Sequence, residues 1–257
     1  MSVNMKPAKY TIFGALSLLI LLVIIFHYHN NHLSTNTLVS IKTGNKFGSG
    51  VLIGQRSDGL SRDYFVLTAN HVVNGFGEKQ SSIKHESNIM TYDEKNYHGI
   101  VIENIEKLDL LILKFQSTDK YNTMKLSKTI PIEKEKVFLA GFVPCNSSRV
   151  RYFHSNSGEV GNYQAKLQEA LKDGLNYIKM NDIFYTNSSG QGMSGGAVTD
   201  KTGYLIAINS AKGRASNTIN FGCEHPPESN FGSFGTSIHK FLSESISKEV
   251  LESLSIH

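Results

Sequence analysis

Between Thr37 and Phe115 the chain repeats one kind of segment, a short apolar run closed by turn residues. TLVSIKT, GSGVLIG, DYFVLTA, YHGIVIEN and DLLILKF are each bounded by Gly, Asn, Asp or Ser. Runs of this length are too short for amphipathic helices, and their spacing is that of a closed antiparallel sheet. A polar stretch, QSTDKYNTMKLSKTIPIEKE, separates this block from a second one containing KVFLAGF, YIKMNDIFYT, GGAVTD, YLIAINS and GSFGTSI. The expected fold class is therefore all-β, with two antiparallel β-barrels, one over about 37–120 and one over about 130–240. The 22 glycines and the low charged fraction of 19% suit a turn-rich β protein, and 40% apolar residues suffice for its core. Two helices are expected beside the strands. YQAKLQEALKDG interrupts the second half, and Leu242, Ile246, Val250 and Leu254 recur every four residues, which predicts a C-terminal helix over 243–257.

The amino terminus has a different character. Lys6 and Lys9 precede TIFGALSLLILLVIIF, 16 uncharged residues flanked by Tyr10 and Tyr28. A buried core helix would show a polar face, and this run has none. Residues 1–28 read as a signal anchor, because the following HYHNNHLSTN offers no small-x-small cleavage site. The lysines would stay in the cytoplasm and everything after residue 28 would be exported, with residues 29–36 as a linker. The alternative is a removed signal peptide and a secreted protein. The net charge of +4 is scattered, without the basic stripe that nucleic acid would need, so the expected partners are the membrane through this segment and no nucleic acid. Nothing in the sequence signals an oligomeric state. Cys145 and Cys223 have no metal-ligand spacing; one disulfide or two thiols are both open.

GQGMSGGAV, residues 190–198, sets Ser194 among four glycines. A serine hydroxyl attacks a carbonyl only with a neighbouring base, and the base needs a third group to fix its tautomer. Gly-x-Ser-x-Gly also fits the nucleophile elbow of α/β-hydrolases, in which the acid and the histidine follow the serine. Downstream of Ser194 stand only Asp200 as an aspartate and His225, His239 and His257 as histidines, and the helical half of such a fold is missing. Upstream, YFVLTANHVV puts His71 at the end of an apolar strand, and LDLLILKF puts Asp109 at the start of another. The order His, Asp, Ser over two β halves suits a cleft between two barrels.

These motifs carry a family resemblance. TANHVV resembles the histidine motif of chymotrypsin-fold (trypsin-like) serine proteases, LDLLILKF their aspartate strand, and GMSGGAV their serine loop, in order and at gaps of 38 and 85 residues. GSGVLIG and YLIAINSAKG are similar to the HtrA-type branch in particular, and the resemblance covers about residues 37–242. It implies that Ser194 is the nucleophile, that His71 is the general base and later the acid, and that Asp109 orients His71. The main-chain N–H groups of Gly192 and Ser194 would form the oxyanion hole. Ser188 would lie at the base of the primary specificity pocket, Lys212 on its wall, and Ser210 behind the aspartate; the three are the candidate substrate-binding residues. With Ser188 there, small or medium uncharged side chains are the expected preference.

Met193 stands where digestive relatives carry an aspartate that pairs with a newly cut amino terminus, so no activating cleavage is expected. Ala197 replaces a commoner proline, and ASNTINFGCEHPPESNFGS would be a long loop beside the pocket wall. Only 15 residues follow Leu242, so no PDZ module of the HtrA type is expected. Asn146 and Asn187 begin Asn-x-Ser sequons, but a glycan on Asn187 would crowd the pocket, which favours a periplasmic compartment over a glycosylating secretory route. The resulting expectation is an exported serine endopeptidase that cuts proteins or peptides through an acyl-enzyme, without metal or organic cofactor. The rivals are a catalytically silent relative that binds peptides in its cleft and an esterase of the α/β-hydrolase type.

Overall fold

The computed structural model describes residues 35–75, 86–144, 151–212, 232–254 and 256. The expected N-terminal anchor, both cysteines, the Asn146 sequon and most of the long loop after Lys212 lie outside these residues. Among the described residues no helix is long and apolar enough to cross a membrane.

The first half holds six strands, β1 (Leu38–Thr43), β2 (Lys46–Asp58), β3 (Ser61–Ala69), β4 (Ser87–Met90), β5 (Asn96–Ile105) and β6 (Leu110–Ser117), with a one-turn helix α1 (Asn70–Asn74) directly after β3. They close into an antiparallel barrel in the order β1-β2-β3-β6-β5-β4. Side chains alternate across a strand, so a run that is apolar at every position has both faces buried. YFVL in β3 and LLIL in β6 are such runs. Leu52, Val66, Leu111 and Leu113 belong to the cluster shared with Val39 and Ile41 of β1, whereas Val51, Ile53, Phe65, Leu67, Leu110 and Ile112 pack with residues of the second half.

The second half forms a six-stranded antiparallel sheet from β7 (Lys136–Pro144), β8 (Arg151–Glu159), β9 (Ile183–Tyr185), β10 (Ala197–Thr199), β11 (Leu205–Lys212) and β12 (Ser233–Ser237). Its order is β8-β7-β10-β11-β12-β9, and its two edges meet at a bridge between Val160 and Tyr185. The expected interrupting helix is α2 (Tyr163–Lys172), capped by the Asn162 side chain accepting from the Ala165 N–H at 2.9 Å. A cluster that includes Val137, Leu139, Tyr185, Met193, Val198 and Ile206 forms its own core.

The C-terminal helix is present but broken, into α3 (Ile238–Leu242) and α4 (Lys248–Ser253). Serines stand at both sides of the break. Ser243 Oγ donates back to the Lys240 carbonyl at 2.7 Å, and Ser247 takes an extended conformation as the N-cap of α4, its N–H given to Glu103 at 2.9 Å. The four-residue spacing still places Ile246 and Val250 in the shared core, with Leu242 and Leu254 packed against it. On the first barrel Glu249 meets Arg56 at 3.2 Å and Lys114 at 3.1 Å, so the carboxyl end of the second half ties onto the first.

Candidate functional site

His71 and Asp109 are brought together by strand register. β3 and β6 pair from Arg62 opposite Ser117 to Ala69 opposite Leu110, so the residues just beyond that last pair are neighbours. The Asn70 N–H donates to the Asp109 carbonyl at 2.9 Å, the His71 N–H donates to Asp109 Oδ1 at 3.0 Å, and His71 Nδ1 lies 2.8 Å from Asp109 Oδ2. Asp109 has φ 53°, a left-handed conformation that aspartate tolerates better than most side chains. Its side chain is 2% exposed and that of His71 11%. An ionised carboxylate only accepts, so the proton between them belongs to Nδ1, which makes Nε2 the accepting nitrogen of the ring.

Ser194 sits in the turn between β9 and β10. Gly192 and Gly195 have φ 91° and 82°, which L side chains rarely adopt, and close packing adds a second constraint. A Cβ on Gly195 would stand 2.1 Å from the Ser49 carbonyl oxygen, and one on Gly192 2.7 Å from the Phe142 carbonyl oxygen. The turn is therefore a rigid shelf pressed on β2 and β7. The Ser194 carbonyl accepts from the Ser49 N–H at 2.7 Å, and the Gly192 carbonyl accepts from Ser49 Oγ at 2.8 Å. The Met193 carbonyl accepts from the Gly196 N–H at 3.0 Å and from Asn209 Nδ2 at 2.9 Å. Across a trans peptide this fixes the Ser194 N–H on the opposite side. Among the described residues the N–H groups of Gly192 and Ser194 find no acceptor.

Ser210 joins the two parts. Its hydroxyl, 4% exposed, donates to Asp109 Oδ2, and its carbonyl accepts from Ser194 Oγ at 3.1 Å. A hydrogen-bonded chain thus runs from His71 through Asp109 and Ser210 to Ser194, across the seam between the two halves. The Ser210 side chain faces the Asp109 carboxylate. Ser188 is half-buried and its carbonyl accepts from Asn156 Nδ2 at 2.7 Å. The preceding Asn187 is 1% exposed and donates to the Asn156 carbonyl and Oδ1, both at 2.9 Å, so its amide is inside the protein. Lys212 ends β11 opposite Ser233, whose hydroxyl donates to the Asn187 carbonyl and lies within hydrogen-bond distance of Ser189 Oγ.

Three residues that shape this region were not singled out from the sequence: Ser49, Asn156 and Asn209. Only Ser49 had a signal, its place in the glycine-flanked GSGVLIG. The arrangement contains a carboxylate-bound imidazole, an alcohol on a tightly packed turn and two main-chain donors without an acceptor among the described residues, which together can generate a nucleophile and hold a negative oxygen. Residues 48–208, more than half of the chain, match the family described as Trypsin-like peptidase domain. No curated protein matches the chain.

Proposed function

Because the chain belongs to the trypsin-like peptidase family, we propose that it is a serine endopeptidase acting through His71, Asp109 and Ser194. Ser194 Oγ attacks the peptide carbonyl as its proton passes to His71 Nε2, and Asp109 stabilises the imidazolium that forms. The N–H groups of Gly192 and Ser194 hold the oxyanion of the tetrahedral intermediate. His71 then protonates the leaving amine, an acyl-enzyme on Ser194 remains, and water activated by His71 releases the acid. At rest the Ser194 hydroxyl is donated to Ser210, so attack needs a rotation of that side chain toward the imidazole.

The hydrogen-bonded chain from His71 through Asp109 and Ser210 to Ser194 carries this reading. The basic, apolar amino terminus adds the proposal that the enzyme works outside the cytoplasm, held by residues 1–28. Ser188, Ser210 and Lys212 are proposed to border the substrate cleft. A fluorophosphonate probe tests the chemistry. The wild type should label and Ser194→Ala should not, with His71→Ala slowed by about a thousandfold or more. A folded wild type that resists the probe would favour a silent peptide-binding relative and end the proposal.

A further inference from the structure

Arg151 opens β8 with its guanidinium over the Phe47 ring, 4.5 Å from the centroid, and Lys42 brings its ammonium to 5.6 Å from the same centroid. Among the described residues neither cation has an ion pair. Arg151 is half-buried, and burial lowers its guanidinium to about 10, which leaves it charged at neutral pH. Burying a cation without an anion is unfavourable, and the face of one aromatic ring offsets only part of that cost. An arriving carboxylate would supply the rest through paired, charge-assisted hydrogen bonds.

The position of this cation relative to Ser194 follows from the β7–β8 hairpin. Arg151 pairs with Pro144, and Pro144 Cδ is 2.8 Å from where a Cβ on Gly192 would stand. Further along, His154 pairs with Gly141, whose added Cβ would be 3.2 Å from Met193 Cα. Further still, Asn156 holds the Ser188 carbonyl. From the other side, Phe47 precedes Gly48, whose added Cβ would lie 2.5 Å from the Val72 methyls and 3.1 Å from the Ser194 carbonyl oxygen. The hairpin thus passes from the Ser188 segment, along the nucleophile turn, to Arg151. Five residue steps of extended chain, about 17 Å, separate Arg151 from Asn156. If Ser188 faces the side chain that precedes the cut bond, Arg151 faces the residues that follow it.

We propose that Arg151, seated on Phe47 with Lys42 beside it, recognises an acidic side chain within the first few residues on the leaving-group side of the cut bond. This subsite rests on the serine peptidase reading. It names the substrate class as segments with an uncharged residue before the bond and Asp or Glu shortly after it.

The test uses the full chain and an internally quenched peptide library varied after the cut bond, followed by a matched pair carrying Glu or Gln at the preferred position. The Glu peptide should show about a tenfold higher kcat/KM, the scale of a hydrogen-bonded charge pair at a partly exposed site. That ratio should shrink toward one in about 1 M salt. Arg151→Gln should bring it to about one by slowing the Glu peptide alone, while Arg151→Lys keeps part of it. Equal ratios in wild type and Arg151→Gln overturn the subsite, as does a wild-type ratio of one at low salt. Probe labelling of Ser194 in Arg151→Gln at the wild-type rate separates lost recognition from lost folding. Should that variant not fold, Arg151→Lys and the salt dependence of the wild type decide. A wild type that neither labels nor cuts overturns the peptidase reading and the subsite together, whereas labelling without the Glu preference overturns the subsite alone.

Discussion

Asn209 has all four of its polar groups paired, and three of them fasten the turn that carries Ser194, the proposed nucleophile. Its N–H donates to the Gly196 carbonyl at 2.9 Å, its carbonyl accepts from the Gly195 N–H at 2.7 Å, Nδ2 donates to the Met193 carbonyl, and Oδ1 accepts from the Tyr185 hydroxyl at 2.6 Å. Full burial pushes the Tyr185 phenol well above its ordinary value, so it stays a donor at any working pH. The carbonyl that Asn209 grips belongs to the peptide whose N–H is that of Ser194. Removing an oxyanion donor outright costs about 10²–10³ in kcat, and loosening one should cost less. Asn209→Ala is therefore expected to lower kcat by about tenfold to a hundredfold with little change in KM. Tyr185→Phe should act in the same direction but more weakly, because Nδ2 remains in place. Steady-state kinetics on one peptide checks both, and an unchanged kcat in Asn209→Ala would refute the positioning role. Asn209 was not legible in YLIAINS, where it is one polar residue inside an apolar strand. His71, Asp109 and Ser194 were legible because each stands where an apolar run or a glycine turn begins or ends.

The strands that the sequence left unread, β4 and β8, share a physical cause. β8 reads RYFHSNSGE and is at most half-buried along its length, since it forms an edge of its sheet. Its nine pairs with β7, from Lys136 opposite Glu159 to Pro144 opposite Arg151, supply backbone hydrogen bonds that no side-chain pattern announces. β4 has four residues, too few for an alternation to stand out. β3 and β6 were legible because both of their faces are buried, whereas β5 was legible from its apolar residues although it is largely exposed. The terminal helix shows the opposite balance: its spacing predicted the packing well, while serines stand where the helix stops. Phe241 in α3 is fully buried in the cluster that includes Leu38 and Leu110 of the first barrel and Ala197 and Ile208 of the second sheet. Phe241→Ala should cost about 3–5 kcal/mol of unfolding free energy. Denaturant titration would show it as a lower midpoint at nearly constant slope, and a cost under about 1 kcal/mol would mean that the terminal segment does not join the two halves.

At the scale of the whole molecule, the shared cluster makes the two halves one cooperative unit, so a partly buried titratable group in either half is felt in the stability of both. His154 on β8 is such a group. Burial lowers its pKa below the ordinary 6.5, and its Nε2 lies 3.2 Å from Asn156 Nδ2, an amide nitrogen that can donate to the unprotonated ring but offers nothing to a protonated one. As pH falls, the unfolded chain takes up this proton near 6.5 and the folded chain only at lower pH. Between those values the unfolded state binds more protons, so stability declines with falling pH and then levels off. Asp93 adds a separate step. Its partial burial acts upward, but hydrogen bonds from Thr91 and Tyr121 outweigh it and hold the carboxyl below 3.8, so its contribution is present above 3.8 and lost further down. Wild-type unfolding followed from about pH 7.5 to 3 should therefore weaken in two stages, one beginning near 6.5 and one below about 4. His154→Gln cannot titrate and should remove the first stage while leaving the second. Because the same Asn156 amide holds the Ser188 carbonyl, the first stage in the wild type should also bring a rise in KM that the variant does not show. Identical pH curves for the two proteins would mean that the imidazole is solvated in solution, and would detach the β8 hairpin from the proposed substrate cleft at Ser188.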